Sequence, residues 1–157
     1  MSASGHFESQ QFVPLPRDEV FAFFADAANL ETITPAYLQF RMLTPLPIEM
    51  KAGALIEYRL KLYGVPIRWK TRIESFDPPR KFTDIQLRGP YALWYHEHEF
   101  LEVDGGTMVV DRVDYKAPLG PLGWIAERLF VRRSVEGIFA YRRDRIAAMF
   151  ATDPVPA

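Results

Sequence analysis

There is no cysteine in this 157-residue chain. That excludes disulfides, thiolate metal sites and cysteine nucleophiles, and it leaves the redox compartment unassigned. Long apolar runs are missing too: none approaches the ~20 residues that cross a bilayer. Met1 to Gly5 is small and polar, without the basic-then-apolar pattern of a secretory leader. Charge of neither sign dominates, with 19 Lys and Arg against 20 Asp and Glu and a net charge of −1. No global field therefore draws the chain to nucleic acid or to an anionic membrane. Also absent are a Gly-rich phosphate loop, a Gly-x-Ser-x-Gly elbow, Ser-x-x-Lys and a visible pair of glycosidase acids. What remains is the composition of a soluble globular protein, 48% hydrophobic and 25% charged. The length predicts one domain over residues 1–151 with a frayed tail over 152–157. A cytoplasmic monomer or homodimer is expected, with no nucleic-acid partner and at most transient membrane contact.

Periodicity places the elements. Phe7 to Val13 predicts a strand, closed by Pro14 and Pro16. Arg17 to Phe24 predicts a helix with acids in its first turn, and Leu30 to Thr34 a second short helix stopped at Pro35. Leu38 to Leu43 reads as a short strand. Ala54 to Tyr63 and Ile67 to Phe76 alternate apolar and charged residues, which predicts two paired strands. Gly64-Val65 suits a type II′ turn between them, which sets Glu57 opposite Arg72 and Leu60 opposite Trp69. Lys81 to Arg88, Tyr91 to Val103 and Thr107 to Ala117 complete the strands, and Trp124 to Phe150 predicts one long helix with an apolar stripe. The resulting class is α+β: a seven-stranded, curved antiparallel sheet, two short helices between strands 1 and 2, and a C-terminal helix covering the apolar face.

The most informative stretch is Trp94-Tyr-His96-Glu-His98-Glu-Phe100. Side chains alternate in a strand, so Trp94, His96, His98 and Phe100 leave one face and Glu97 and Glu99 the other. The charged side meets water, and two of the chain's three histidines then point inward. Asp104-Gly105 as a type I′ turn pairs Phe100 with Val109, His98 with Asp111, His96 with Val113 and Trp94 with Tyr115. Glu97 then faces Arg112 on the wet side. In this register His98 has a carboxylate and His96 has none, which makes His96 the sharper functional candidate.

The element order, with Pro16-Arg-Asp-Glu-Val-Phe-Ala-Phe-Phe-Ala-Asp26, the Trp-x-His-x-His-x-Phe strand and Asp111-x-Val113-x-Tyr115 before Pro118-x-Gly120, resembles the START-like or SRPBCC superfamily. That group includes the birch-pollen allergen and polyketide cyclase folds, and the cyclase/dehydrase-like subgroup is the most similar. The resemblance implies a helix-grip fold around a cavity, used for carrying hydrophobic ligands or for ring closure. It implies no general dependence on a metal or another cofactor.

Three uses compete for His96, His98 and Asp111: a satisfied buried network, a ligand contact with Asp111 fixing a tautomer, and a metal site. The spacing His-x-His suits zinc, but only Asp111 offers a third ligand, so no metal is expected. Tyr58, Trp69, Trp94 and Tyr115 read as inward aromatics, either core or the wall of a pocket. Gln86 and Asp84 share a face with Phe82, and which face of that strand is inward stays open. Leu129 and Val135 are the helix's candidates for the ligand side. The arginines of the last helix, Arg142 among them, read as a solvated face, with Arg132 or Glu136 the residues able to turn inward. Two functions follow. One is binding of a hydrophobic or amphipathic small molecule (lipid, polyketide or isoprenoid-like) without catalysis. The other is an aromatase/cyclase or dehydratase in which His96 or His98 is the acid–base group.

Overall fold

In a computed structural model the described residues are 4–62, 64–117 and 132–150. They form β1 (Ser4–Val13), α1 (Arg17–Phe24), 3₁₀ turns at Ala27–Asn29 and Ala36–Leu38, and β2 (Arg41–Met42). Then come β3 (Leu55–Leu62), β4 (Val65–Asp77), β5 (Lys81–Arg88), β6 (Leu93–Val103), β7 (Gly106–Lys116) and the C-terminal helix α2 (Arg132–Met149). All seven strands make one antiparallel sheet in the order β1-β7-β6-β5-β4-β3-β2, as a chain of hairpins closed by the first strand returning to the last. Register shifts between Lys70 and Thr71 and between Ile73 and Ser75 interrupt the β4–β5 ladder, and such irregularities bend a sheet. The predicted helix over 124–131, with Leu129, and the tail from 152 lie outside the described residues.

The α+β helix-grip architecture is as the sequence predicts, with differences at the boundaries. Leu30 to Thr34 is a turn rather than a helix. The short helical pieces flank it, because Asp26 caps the first, accepting from the Ala28 N–H at 3.0 Å, and Pro35 starts the second. The strand predicted over 38–43 shrinks to Arg41–Met42, because Gln39 adopts a left-handed conformation, φ 49°, that breaks extended backbone.

The two hairpins test the turn chemistry. At β6–β7 the pairing is the predicted one throughout, from Trp94 with Tyr115 to Val103 with Gly106. The turn type differs: Gly105 has φ 82°, but Asp104 is not among the residues of positive φ that type I′ needs at both positions. At β3–β4 the register differs by two residues. Tyr58 faces Trp69, Leu60 faces Ile67 and Glu57 faces Lys70. Val65 is already paired with Leu62, and Gly64 between them has φ 78°. A shift of two keeps every side chain on its predicted face.

Two apolar regions fill the space inside the sheet. Under α1, Phe21 meets Phe82 and Phe100 edge-on at 5.8 and 5.2 Å between ring centres, with Val13, Val20 and Ile73 buried around them. Toward α2, Val113 and Tyr115 pack with Val135 and Phe139, and Phe139 lies 4.6 Å from the Phe7 ring. The inward histidines sit between these regions.

Candidate functional site

β6 alternates as the sequence requires, and His96 and His98 are both buried. Their rings stack, with centres 3.6 Å apart and planes at 27°. Two carboxylates flank the stack. The Nε2–H of His96 donates to Asp111 Oδ1 at 2.8 Å, and the Nε2–H of His98 donates to Asp84 Oδ2 at 2.6 Å. The longer contacts close a ring of four: His98 Nδ1 lies 3.4 Å from Asp111 Oδ1, and His96 Nδ1 lies 3.8 Å from Asp84 Oδ2.

This corrects the sequence reading in two places. Asp111 is opposite His98 but bonds its diagonal neighbour, so His96 is not the unpartnered histidine. Side chains lean along a strand, which lets a diagonal pair meet where a direct pair does not. The second correction is the partner of His98, which is Asp84. The β5–β6 register sets Phe82 opposite His98 and Asp84 opposite His96, so the face left open in the sequence is the inward one. Phe82 stacks on His98 at 4.2 Å, and Asp84 supplies the carboxylate His98 uses.

The electrostatics split the two histidines. Burial works against a charged imidazole in both. At His98 the Asp111 carboxylate 3.4 Å from Nδ1 and the hydrogen bond to Asp84 overcome burial and hold it at about 8. At His96 burial, with the charge on His98, wins and lowers the ring below its usual 6.5. Burial would raise both carboxyls, but the histidine hydrogen bonds and charges hold Asp84 and Asp111 below the ordinary carboxylate range. At neutral pH the cluster is therefore two carboxylates, one imidazolium and one neutral imidazole. In that neutral ring Nε2 carries the proton, because Asp111 accepts from it. Nδ1 is left as an acceptor with no hydrogen bond among the described residues.

A cavity of about 140 Å³ opens beside the cluster, between the sheet and α2. Tyr58, Trp69, Trp94, His96, His98 and Val135, all read from the sequence as candidates, line it. So do Asp84, which the sequence left open, Tyr91, which it did not single out, and Arg142, which it placed on the solvated face. Most of the remaining wall is apolar, from Leu38, Ile56, Leu60, Ile73 and Phe82. Tyr58 stacks on Trp69 at 5.9 Å, and Trp69 meets Trp94 edge-on at 5.4 Å. Burial pushes the Tyr58 phenol well above its usual value, so it stays protonated.

Three candidates are not on the wall. Asp111 stands behind the histidines, and Tyr115 is buried against Val113. The Gln86 amide is occupied by a neighbouring backbone: its Nε2 donates to the Tyr91 carbonyl at 2.7 Å and its Oε1 accepts from the Tyr91 N–H at 3.1 Å. Gln86 thus fixes the loop that presents Tyr91. On α2, Arg132 and Glu136 are exposed, and the arginine that turns inward is Arg142. The signal was present: Val135, Ile138, Phe139, Arg142 and Ile146 follow helical spacing, and Arg142 lies on that stripe.

Asp84, His96 and His98 have ligand atoms within 4.8 Å of one another, so the third donor of a metal site would be Asp84 rather than Asp111. The stacking suits hydrogen bonding better than chelation. An ion in the plane of one ring would lie out of the plane of the other, and Asp84 is already held by His98.

No family model and no curated protein matches the chain. Solved structures do. An aromatase/cyclase from Streptomyces sp. R1128 is 19% identical over 93% of both chains, with a TM-score of 0.74. A di-domain aromatase/cyclase from the steffimycin biosynthetic pathway is 16% identical over 94% of this chain and 50% of its own, at 0.72. Major latex-like protein 151 from Panax ginseng is 16% identical over 96% of this chain and 99% of its own, at 0.68. Identities this low speak for architecture and not for activity. With the strand order and the gripped helix, they show that this chain has the START-like, or SRPBCC, fold.

Proposed function

We propose that this chain binds an apolar or amphipathic small molecule, of lipid, polyketide or isoprenoid type, between the sheet and α2. The observation that carries the reading is the cavity: an apolar and aromatic wall interrupted by one polar cluster. Apolar burial supplies affinity at ~25 cal/mol per Å², and a few placed polar groups set orientation. His96 Nδ1 is the acceptor available to a ligand hydroxyl. Space of this size accommodates about one aromatic ring, so a ligand of this class places one ring or chain end inside it. Native mass spectrometry of the protein from its own source is expected to show one small apolar molecule per chain. NMR titration with toluene should give saturable shifts at wall residues. A ligand-free chain that also takes up no toluene would overturn the proposal.

A second reading rests on the split between the histidines. A neutral His96 beside a protonated His98 is a base next to an acid, the pairing that proton abstraction beside a carbonyl needs. It makes the chain an aromatase/cyclase- or dehydratase-type enzyme. His96→Gln should then abolish turnover of a polyketone substrate, positioned acid–base groups being worth ~10²–10⁴-fold. Unchanged turnover in the folded variant would remove this reading.

A further inference from the structure

Arg142 is an arginine on a wall that is otherwise mostly apolar. It is half-buried, lines the cavity, and lays its guanidinium 5.0 Å from the centre of the Phe139 ring. Its Nε is buried with no hydrogen-bond partner, and no carboxylate pairs with Arg142 among the described residues. Asp84, the acid on the same cavity wall, has its Oδ2 engaged by His98. Two more donors on this wall share the condition: His98 Nδ1–H, whose nearest carboxylate oxygen is Asp111 Oδ1 at 3.4 Å, and the Trp69 indole. Trp69 is 8% exposed, lines the same cavity, and its indole N–H has no acceptor.

Buried donors without acceptors are rare and destabilising, and arginine and indole can only donate. Acceptors carried by whatever fills the space would satisfy them. A carboxylate brings two in-plane oxygens and no donor, and it matches the planar fork of a guanidinium. A phosphate dianion would carry two charges into a wall of aromatic rings with a single arginine to meet them. We propose that the ligand is an apolar carboxylic acid whose carboxylate is held by Arg142 and the Trp69 N–H. This rests on the cavity being a binding site and narrows what it takes.

The test compares 3-phenylpropanoate, its methyl ester and 3-phenylpropan-1-ol by NMR titration at pH 7, with the Trp69 indole proton as one reporter. The acid is expected to bind at least tenfold more tightly than either neutral compound and to move the Trp69 signal downfield. Arg142→Met should bring the three affinities to within about twofold of one another. Equal binding of acid, ester and alcohol to the native chain overturns the carboxylate assignment and leaves the apolar site standing. No binding of these three or of toluene overturns both. The comparison on the native chain needs no variant, so it decides the assignment even if Arg142→Met folds poorly.

Discussion

Each residue of the histidine cluster is held by the others. Asp111 has no exposed role; it accepts the hydrogen bond of the His96 Nε2–H and faces the second nitrogen of His98. Removing one partner of a buried charged pair strands the other, at a cost of ~3–5 kcal/mol, whereas an exposed pair contributes ~0–1. Asp111→Asn is therefore expected to lower stability in urea by about 3 kcal/mol. Glu97→Gln, which breaks the more exposed 2.8 Å pair with Arg112 one residue along the same strand, should cost under about 1 kcal/mol. Equal effects would show that the inner network does not carry the strand. Asp84 has the separate task of keeping His98 protonated. In Asp84→Asn the His98 resonance, followed by NMR against pH, should titrate below the value of about 8 in the native chain. An unmoved titration would assign the shift to Asp111 alone.

At the scale of elements, the hairpins explain what could be read in advance. The β6–β7 register was legible because a two-residue loop joins two well-alternating strands, and a slip would have buried Arg112. The β3–β4 register was two residues out because either 63–64 or 64–65 can hold the turn, and both keep Ile56, Tyr58 and Leu60 inward. Gly64 decides between them. At φ 78° it occupies a conformation costing other residues ~1–2 kcal/mol, and a Cβ there would touch nothing. Gly64→Ala should thus lower stability by about 1 kcal/mol, and Gly64→Asn by less, since asparagine tolerates that region. Chemical denaturation of the two variants checks it; an equal loss would point to a cause other than backbone strain. β5 was placed at its observed bounds, but its inward face could not be read from sequence, because residues 89–92 form an irregular connection that sets no register. Phe82 and Thr83, on opposite faces, are both buried, so patterning did not decide either. Asp84 was left undecided for that reason, and with it the partner of His98. Arg142 was missed for a simpler one: an arginine in an arginine-rich helix reads as solvated until the helix is seen to grip the sheet.

For the whole molecule, a network buried between sheet and helix ties folding to pH, with opposite signs at the two histidines. His98 is held at about 8 against 6.5 for a free imidazole, so the native chain keeps a proton that the unfolded chain releases first. That stabilisation is complete below pH 6.5 and is lost as pH rises through 8. His96 acts the other way. Its native value lies below 6.5, so acidification from 6.5 protonates the unfolded chain first and removes stability. Asp84 and Asp111 are held below 3.8, and what they contribute is complete above that value and lost on further acidification. The combination gives a maximum near pH 6.5 with losses on both sides. On the alkaline side the shift from 6.5 to about 8 corresponds to roughly 2 kcal/mol, at ~1.4 kcal/mol per unit. Urea midpoints should therefore fall steadily between about pH 6.5 and 9 in the native chain. His98→Gln should remove most of that limb, the rest belonging to His6, which its bonds to Asp114 and Glu8 raise, while the acid limb of His96 and the two aspartates persists in weakened form. A native profile that stays level across that range would mean that His98 is neutral inside the fold, and the acid–base division of the two histidines would fall with it.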